Sequence, residues 1–257
     1  MKILFSACPL CGSSELRFLR SADCSRHALY DPRLPPVLHW MQCDACAHVF
    51  TDGYFSPAGL EILLPRVHSF QQPGADYERQ RYIAARTIER VDRFPTPGDL
   101  WLDAGFGNGA LLITAEEFGY RPVGVDIRAA NVDALRWLGT EAHACDFADF
   151  ADSRRFAVIS MMDVLEHVPF PGLTLLKAHA LLAPGGALVV SCPAYNSPLW
   201  RALDDATQNP YWAEIEHYHN FSRDRLYALL RAHCFTPRRY AVSERYRACM
   251  EIVSTRQ

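Results

Sequence analysis

Two pairs of cysteines carry the clearest chemistry in the sequence. Cys8-Pro9-Leu10-Cys11 is followed by Gly12, and Cys43-Asp44-Ala45-Cys46 repeats the C-x2-C spacing. A tight turn over two residues aims both thiolates at one ion, and two such turns close a tetrahedral four-sulfur site. Cys8, Cys11, Cys43 and Cys46 are therefore expected to hold a structural Zn2+. A redox pair, or clustering without a metal, are the alternatives the spacing leaves. His48 could compete as a ligand, but its position fits the strand leaving the second knuckle better. The other five of the nine cysteines, Cys24, Cys145, Cys192, Cys234 and Cys249, have no activating partner nearby in sequence and read as small buried hydrophobes. The odd total suits a reducing compartment better than a disulfide framework.

A second group of residues surrounds a glycine-rich turn. Leu100-Trp101-Leu102-Asp103-Ala104 reads as a strand running into Gly105-Phe106-Gly107-Asn108-Gly109, after which Ala110 opens a helix. Glycines let the backbone turn tightly and approach a ligand, and the free N–H groups of the helix start favour an anionic group. NAD, FAD and S-adenosylmethionine (SAM) are all served by such turns. Here Asp103 precedes the glycines, where it would meet a ligand's ammonium and repel a pyrophosphate. Asp126 ends the next strand, at residues 122–126, and can accept hydrogen bonds from both hydroxyls of a ribose. After a third strand, Asp146 is placed to meet an adenine amino group with Phe147 beside the ring. A helix N-cap is the competing role for Asp146.

Histidines supply the remaining candidates. His167 follows a fourth strand, and its catalytic and loop-organising readings are evenly balanced. Glu214-Ile215-Glu216-His217-Tyr218-His219-Asn220 carries two more, which alternate spacing puts on one side of an extended chain. As a metal pair, His217 and His219 lack a third ligand; as pocket lining or as a base near neutral pH they fit. Tyr195, Asn196, Trp200, Tyr211 and Trp212 form an aromatic insert that could cover a substrate or simply pack on itself.

These residues need elements to position them. From Asp99 onward, short apolar runs alternate with helical patterns, the signature of a parallel sheet with crossover helices. Strands are expected at 100–104, 122–126, 141–144, 156–161 and 187–193, with helices from Ala110 and over 172–182, the latter stopped by Ala183-Pro184-Gly185-Gly186. Segments 237–242 and 248–255 suit a closing antiparallel hairpin. Upstream, Pro57 suits a helix start after Ser56, and helical spacing runs from about Asp76 to Phe94.

Taken together, the glycine turn, Asp126, Asp146-Phe147, Leu165-Glu166-His167-Val168-Pro169 and the Leu182-to-Val190 run with its Pro-Gly-Gly resemble class I SAM-dependent methyltransferases. The resemblance implies an α/β, Rossmann-like, seven-stranded domain over residues 99–257. It also implies that Gly105, Gly107 and Gly109 line the methionine part of SAM, that Asp126 and Ile127 border the ribose, and that Met162 flanks the adenine. The histidine-bearing loop would border an acceptor pocket. The cysteine pattern ahead of it is similar to zinc-ribbon-like modules of bacterial small-molecule methyltransferases, some acting on sugars, and also to one in a ribosomal RNA guanine methyltransferase family. The expected organisation is a zinc-ribbon-like module at 1–52, a helical linker at 53–98 and the methyltransferase domain.

Composition narrows the partners. The 257 residues are 49% hydrophobic, enough for a full core, and a net charge of −3 gives no bulk attraction to nucleic acid. No apolar run approaches a membrane span or a signal segment, so a soluble, cytoplasmic protein is expected. A small-molecule acceptor leads; RNA gripped by the zinc module, a SAM-binding protein without turnover, and a dehydrogenase are the other readings. The sequence leaves the oligomeric state open.

Overall fold

A computed structural model describes residues 1–65, 71, 73–93 and 95–257 of the chain. The N-terminal part contains β1 (Lys2–Leu4), β2 (Leu16–Asp23), β3 (Val37–Cys43), β4 (Val49–Thr51) and β5 (Gly53–Phe55). The two cysteine knuckles are the turns that precede β2 and join β3 to β4. β2, β3 and β4 form an antiparallel meander, while β5 folds back to pair with β1, joining Lys2 to Phe55 across the boundary expected near residue 52. α1 (Pro57–Leu63) starts at a proline, whose fixed φ suits a first helical turn. α2 (Tyr77–Arg90) follows, shorter than the 76–94 expectation. Its N-cap, Asp76, is left-handed, and Phe94 lies outside the described residues.

The second part is built on β6 (Leu100–Ala104), α3 (Ala110–Glu117), β7 (Arg121–Asp126), α4 (Ala129–Trp137), β8 (Glu141–Ala144), β9 (Phe156–Met162), α5 (Pro171–Leu181) and β10 (Leu182–Pro193). β6 and β9 are buried along their whole length, as strands covered by helices on both faces must be. Ala183-Pro184-Gly185-Gly186, expected only to stop a helix, is carried inside β10 as a register shift between Leu182 and Ala187. α6 (Pro198–Asp205), β11 (His219–Asn220), α7 (Arg223–Ala232), β12 (Phe235–Val242) and β13 (Cys249–Arg256) complete the chain. Ser222 caps α7 by accepting from the Arg225 N–H.

Seven strands form one sheet in the order β12-β13-β10-β9-β6-β7-β8, with β13 antiparallel to both its neighbours and the rest parallel. Chain order reverses between β6 and β9, the crevice where such sheets bind ligands beyond their carboxyl ends. No helix among the described residues is long and apolar enough to cross a membrane.

The cysteine-bearing part is sewn into this domain. β11 adds to the edge of β4, giving a four-stranded sheet β11-β4-β3-β2. One apolar cluster joins Leu34, Leu38, Trp40 and Val49 to Trp200, Trp212, Ile215 and Tyr218. The Trp40 indole donates to the Trp212 carbonyl at 2.9 Å. The aromatic insert is thereby anchored from below, through Trp200 and Trp212, rather than packed on itself alone.

Candidate functional site

A cavity of about 510 Å3 opens at the β6/β9 crevice, within the roughly 300–1,000 Å3 usual for small-molecule sites. Gly105, Gly107, Asp126, Ile127, Asp146, Phe147 and Met162 all line it. Gly105 adopts φ +70, and a Cβ there would come 2.9 Å from a Val164 methyl, so only glycine keeps this turn open. The Asp126 carboxylate accepts the Gly107 N–H at 3.1 Å and the Arg128 N–H at 2.8 Å. Burial raises its pKa while those N–H groups oppose the rise. The turn and the carboxylate are thus fixed to each other before any ligand arrives. Asp146 lines the cavity, and its Oδ1 accepts the Ala148 N–H at 2.8 Å in a short turn; no helix follows it, so the competing N-cap role is not taken up.

Two residues expected at the cofactor stand away from the cavity wall. Asp103 is only 2% exposed and is locked by the Ser160 hydroxyl at 2.6 Å, itself hydrogen-bonded by the Trp101 indole. Burial lifts the Asp103 pKa to about 7, against the Ser160 hydrogen bond. Gly109 is the left-handed N-cap of α3, where a Cβ would meet a Leu135 methyl at 2.8 Å. Its requirement is close packing of α4 on the turn.

The other half of the cavity holds titratable groups. Glu166 is fully buried with neither carboxylate oxygen hydrogen-bonded among the described residues. Burial and the neighbouring Asp163 charge push its pKa well up. His167 Nδ1 lies 3.0 Å from the Glu216 carbonyl. A carbonyl can only accept, so Nδ1 carries the proton and Nε2 is left as a proton acceptor. His217 meets His167 edge to face at 4.7 Å; burial, then the His167 charge, lower its pKa to about 3, so it stays neutral at physiological pH. Glu166, His167 and His217 offer ligand atoms within 4.8 Å of one another.

His219, expected beside His217, is not on the cavity. It is fully buried in β11, with Nδ1 3.0 Å from His48 Nε2 and Nε2 2.9 Å from the Val168 carbonyl. The alternate-spacing argument assumed one regular extended stretch; the strand begins only at His219, and His217 lies before it, just after a turn at 215–216. Residues missed from the sequence also line the cavity. Asp163, in the left-handed region at φ 58, accepts from the Ser191 hydroxyl at 2.5 Å and faces Arg245 at 3.7 Å. Arg245 and Tyr246 arrive from the β12–β13 turn, where no local pattern announces them.

The four knuckle sulfurs, Cys8, Cys11, Cys43 and Cys46, lie within 4.8 Å of one another, with Cys8 and Cys46 at 3.7 Å and Cys11 and Cys43 at 3.6 Å. That is too long for a disulfide and close to the ~3.8 Å edge of a tetrahedron with ~2.3 Å Zn–S bonds. The donor set can hold zinc.

Residues 76–238 match the family model described as methyltransferase domain. Ubiquinone biosynthesis O-methyltransferases of Nitrobacter winogradskyi and a Bradyrhizobium species are each 36% identical over 96 residues. That segment is 35% of this chain and only 37% and 38% of those relatives, so the chain spans little more than a third of their length. Solved structures share the fold. The Burkholderia thailandensis 1,6-didemethyltoxoflavin-N1-methyltransferase, bound to its namesake compound and S-adenosylhomocysteine (SAH), aligns over 71% of this chain and 80% of its own, with TM-score 0.53 and 22% identity. The SAH-bound magnesium protoporphyrin IX methyltransferase from Synechocystis PCC 6803 covers 75% and 89%, with TM-score 0.56 and 19% identity. With the family model matching more than half of the chain and the crevice, glycine turn and carboxylate in place, the chain belongs to the class I SAM-dependent methyltransferases.

Proposed function

We propose that the enzyme moves the methyl group of SAM to a hydroxyl of a small molecule, such as a sugar or a secondary metabolite. The sulfonium already activates the methyl, so the protein's work is alignment and removal of the acceptor proton. Gly105, Gly107, Asp126, Ile127, Asp146, Phe147 and Met162 would hold SAM, with Asp126 at the ribose. His167 is assigned the base, because its free Nε2 is the product of a fixed tautomer. His217 would complete the wall as a neutral donor or acceptor. The observation that carries the reading is one cavity joining the glycine turn and Asp126 to Glu166, His167 and His217.

Cys8, Cys11, Cys43 and Cys46 are proposed to bind a structural Zn2+. We favour a small acceptor over RNA because the net charge of −3 offers no bulk attraction to nucleic acid, and the β4 edge of the cysteine-bearing sheet is taken up by β11 while Trp40 and Val49 pack on the aromatic insert. The relatives named for O-methylation in ubiquinone biosynthesis support an oxygen acceptor. The test is SAM turnover against catechols, phenols and free sugars, with SAH titration of wild type and Asp126→Ala alongside. Turnover of a hydroxylated acceptor and SAH affinity lowered about tenfold or more in the variant are expected. Unchanged SAH affinity would remove Asp126 from the ribose role, and salt-sensitive RNA binding without small-molecule turnover would favour RNA.

A further inference from the structure

No residue of the cysteine-bearing sheet lines the cavity among the described residues, yet two histidines in its connecting loops reach residues that do: His27 contacts Glu214, and His48 reaches Val168 through His219. We infer that His48 and His27 are positioning residues for the acceptor side: His48 fixes His219 and, through it, the loop carrying Glu166 and His167, and His27 holds Glu214. This rests on the reading that this half of the cavity receives the acceptor.

The direction of the first contact follows from its far end. His219 Nε2 lies 2.9 Å from the Val168 carbonyl, so that nitrogen carries the hydrogen. In a neutral ring Nδ1 is then the acceptor, and His48 Nε2, 3.0 Å away, must be the donor. The chain runs His48 N–H to His219, then His219 N–H to Val168. The same loop is held at its other end, where the Glu166 carbonyl accepts the Tyr218 N–H at 2.7 Å and the His219 N–H at 3.2 Å. β4 secures the holder itself, with His219 opposite Phe50 and the Thr51 N–H on the Tyr218 carbonyl at 2.9 Å. His48 is locked in turn by stacking on Phe50, rings 5.8 Å apart and 6° from parallel. Both ends of the Glu166-to-Val168 segment therefore depend on contacts made by the cysteine-bearing sheet.

The second contact reaches the opposite wall. His27 Nδ1 accepts the Leu29 N–H at 3.2 Å, which turns Nε2 toward Glu214 Oε1 at 2.5 Å. Glu214 lines the cavity between Tyr211 and His217.

Amide hydrogen exchange on the full chain, with and without SAH, tests this without needing an acceptor, so its failure is separate from failure to find one. His48→Phe keeps the flat ring and removes the N–H, whereas His48→Gln returns a donor near the position of Nε2. Exchange over 164–169 and 214–221 is expected to quicken about tenfold in His48→Phe, as for loss of one buried hydrogen bond. The 105–117 segment and SAH affinity should stay within about twofold of wild type, and His48→Gln should restore protection. Equal protection in wild type and His48→Phe, or a glutamine variant no better than phenylalanine, overturns the role of His48. If His48→Phe does not fold, His27→Ala decides: faster exchange confined to 214–221 supports the inference, and unchanged exchange there overturns it.

Discussion

Glu166→Gln isolates the cost of burying an unpartnered carboxyl. The side chain has no exposure and no hydrogen bond to either oxygen among the described residues, and burial followed by the Asp163 charge raises its folded-state pKa well above 4.5. The folded protein therefore keeps a proton that the unfolded chain releases above pH 4.5. The stability tied to that proton is fully present below pH 4.5 and drains away as pH rises toward the folded-state value. The slope in that window is about 1.4 kcal/mol per pH unit, a sizeable part of the roughly 5–15 kcal/mol that holds a domain folded. Glutamine mimics the protonated acid and does not titrate. Urea unfolding of both proteins at pH 5 and pH 6 should show the variant gaining on wild type, by at most about 1.4 kcal/mol across that one unit. Other titrating groups, such as Asp103 with its pKa near 7, are common to both proteins and largely cancel in the difference. A pH-independent difference, or one that shrinks as pH rises, would refute the raised pKa.

Three further outcomes are expected. His167→Ala should lower methyl transfer by about 10²–10⁴-fold while SAH affinity, measured by calorimetry, is unchanged; a loss below threefold would reject the base. Cys43→Ser should abolish bound zinc measured by elemental analysis and lower the melting midpoint, and zinc absent from wild type as well would reject the site. Gly109→Ala, placing a Cβ at φ +77 and 2.8 Å from Leu135, should destabilise by about 1–3 kcal/mol in urea unfolding, and a neutral effect would show that the turn relaxes freely.

Local chemistry was readable in the sequence, and long-range pairing was not. The strand ending at Asp126, the glycine turn and the closing hairpin each announce themselves within a short run of sequence, and the structure has them at β7, 105–109 and β12–β13. The cysteine knuckles were likewise legible, because two residues between thiols is a complete geometric instruction. His219 shows the limit. A two-residue strand has no measurable period, and its partner β4 is encoded at the other end of the chain. Asp103 shows another: its position before the glycines suggests a ligand contact, but Ser160 on the neighbouring strand claims it. Arg245 and Tyr246 reach the cavity only because an antiparallel hairpin folds back beside β10.

The lateral bond between β4 and β11 also bears on how the chain is made. His48 and His219 are 171 residues apart in sequence, so at the ~5–20 residues per second of translation the amino-terminal sheet waits roughly 10–30 s for its last strand. A sheet formed within that interval would leave Val49, Phe50 and Thr51 as an open edge, the kind that recruits strands from other chains. Docking of β11 is the step that closes this edge.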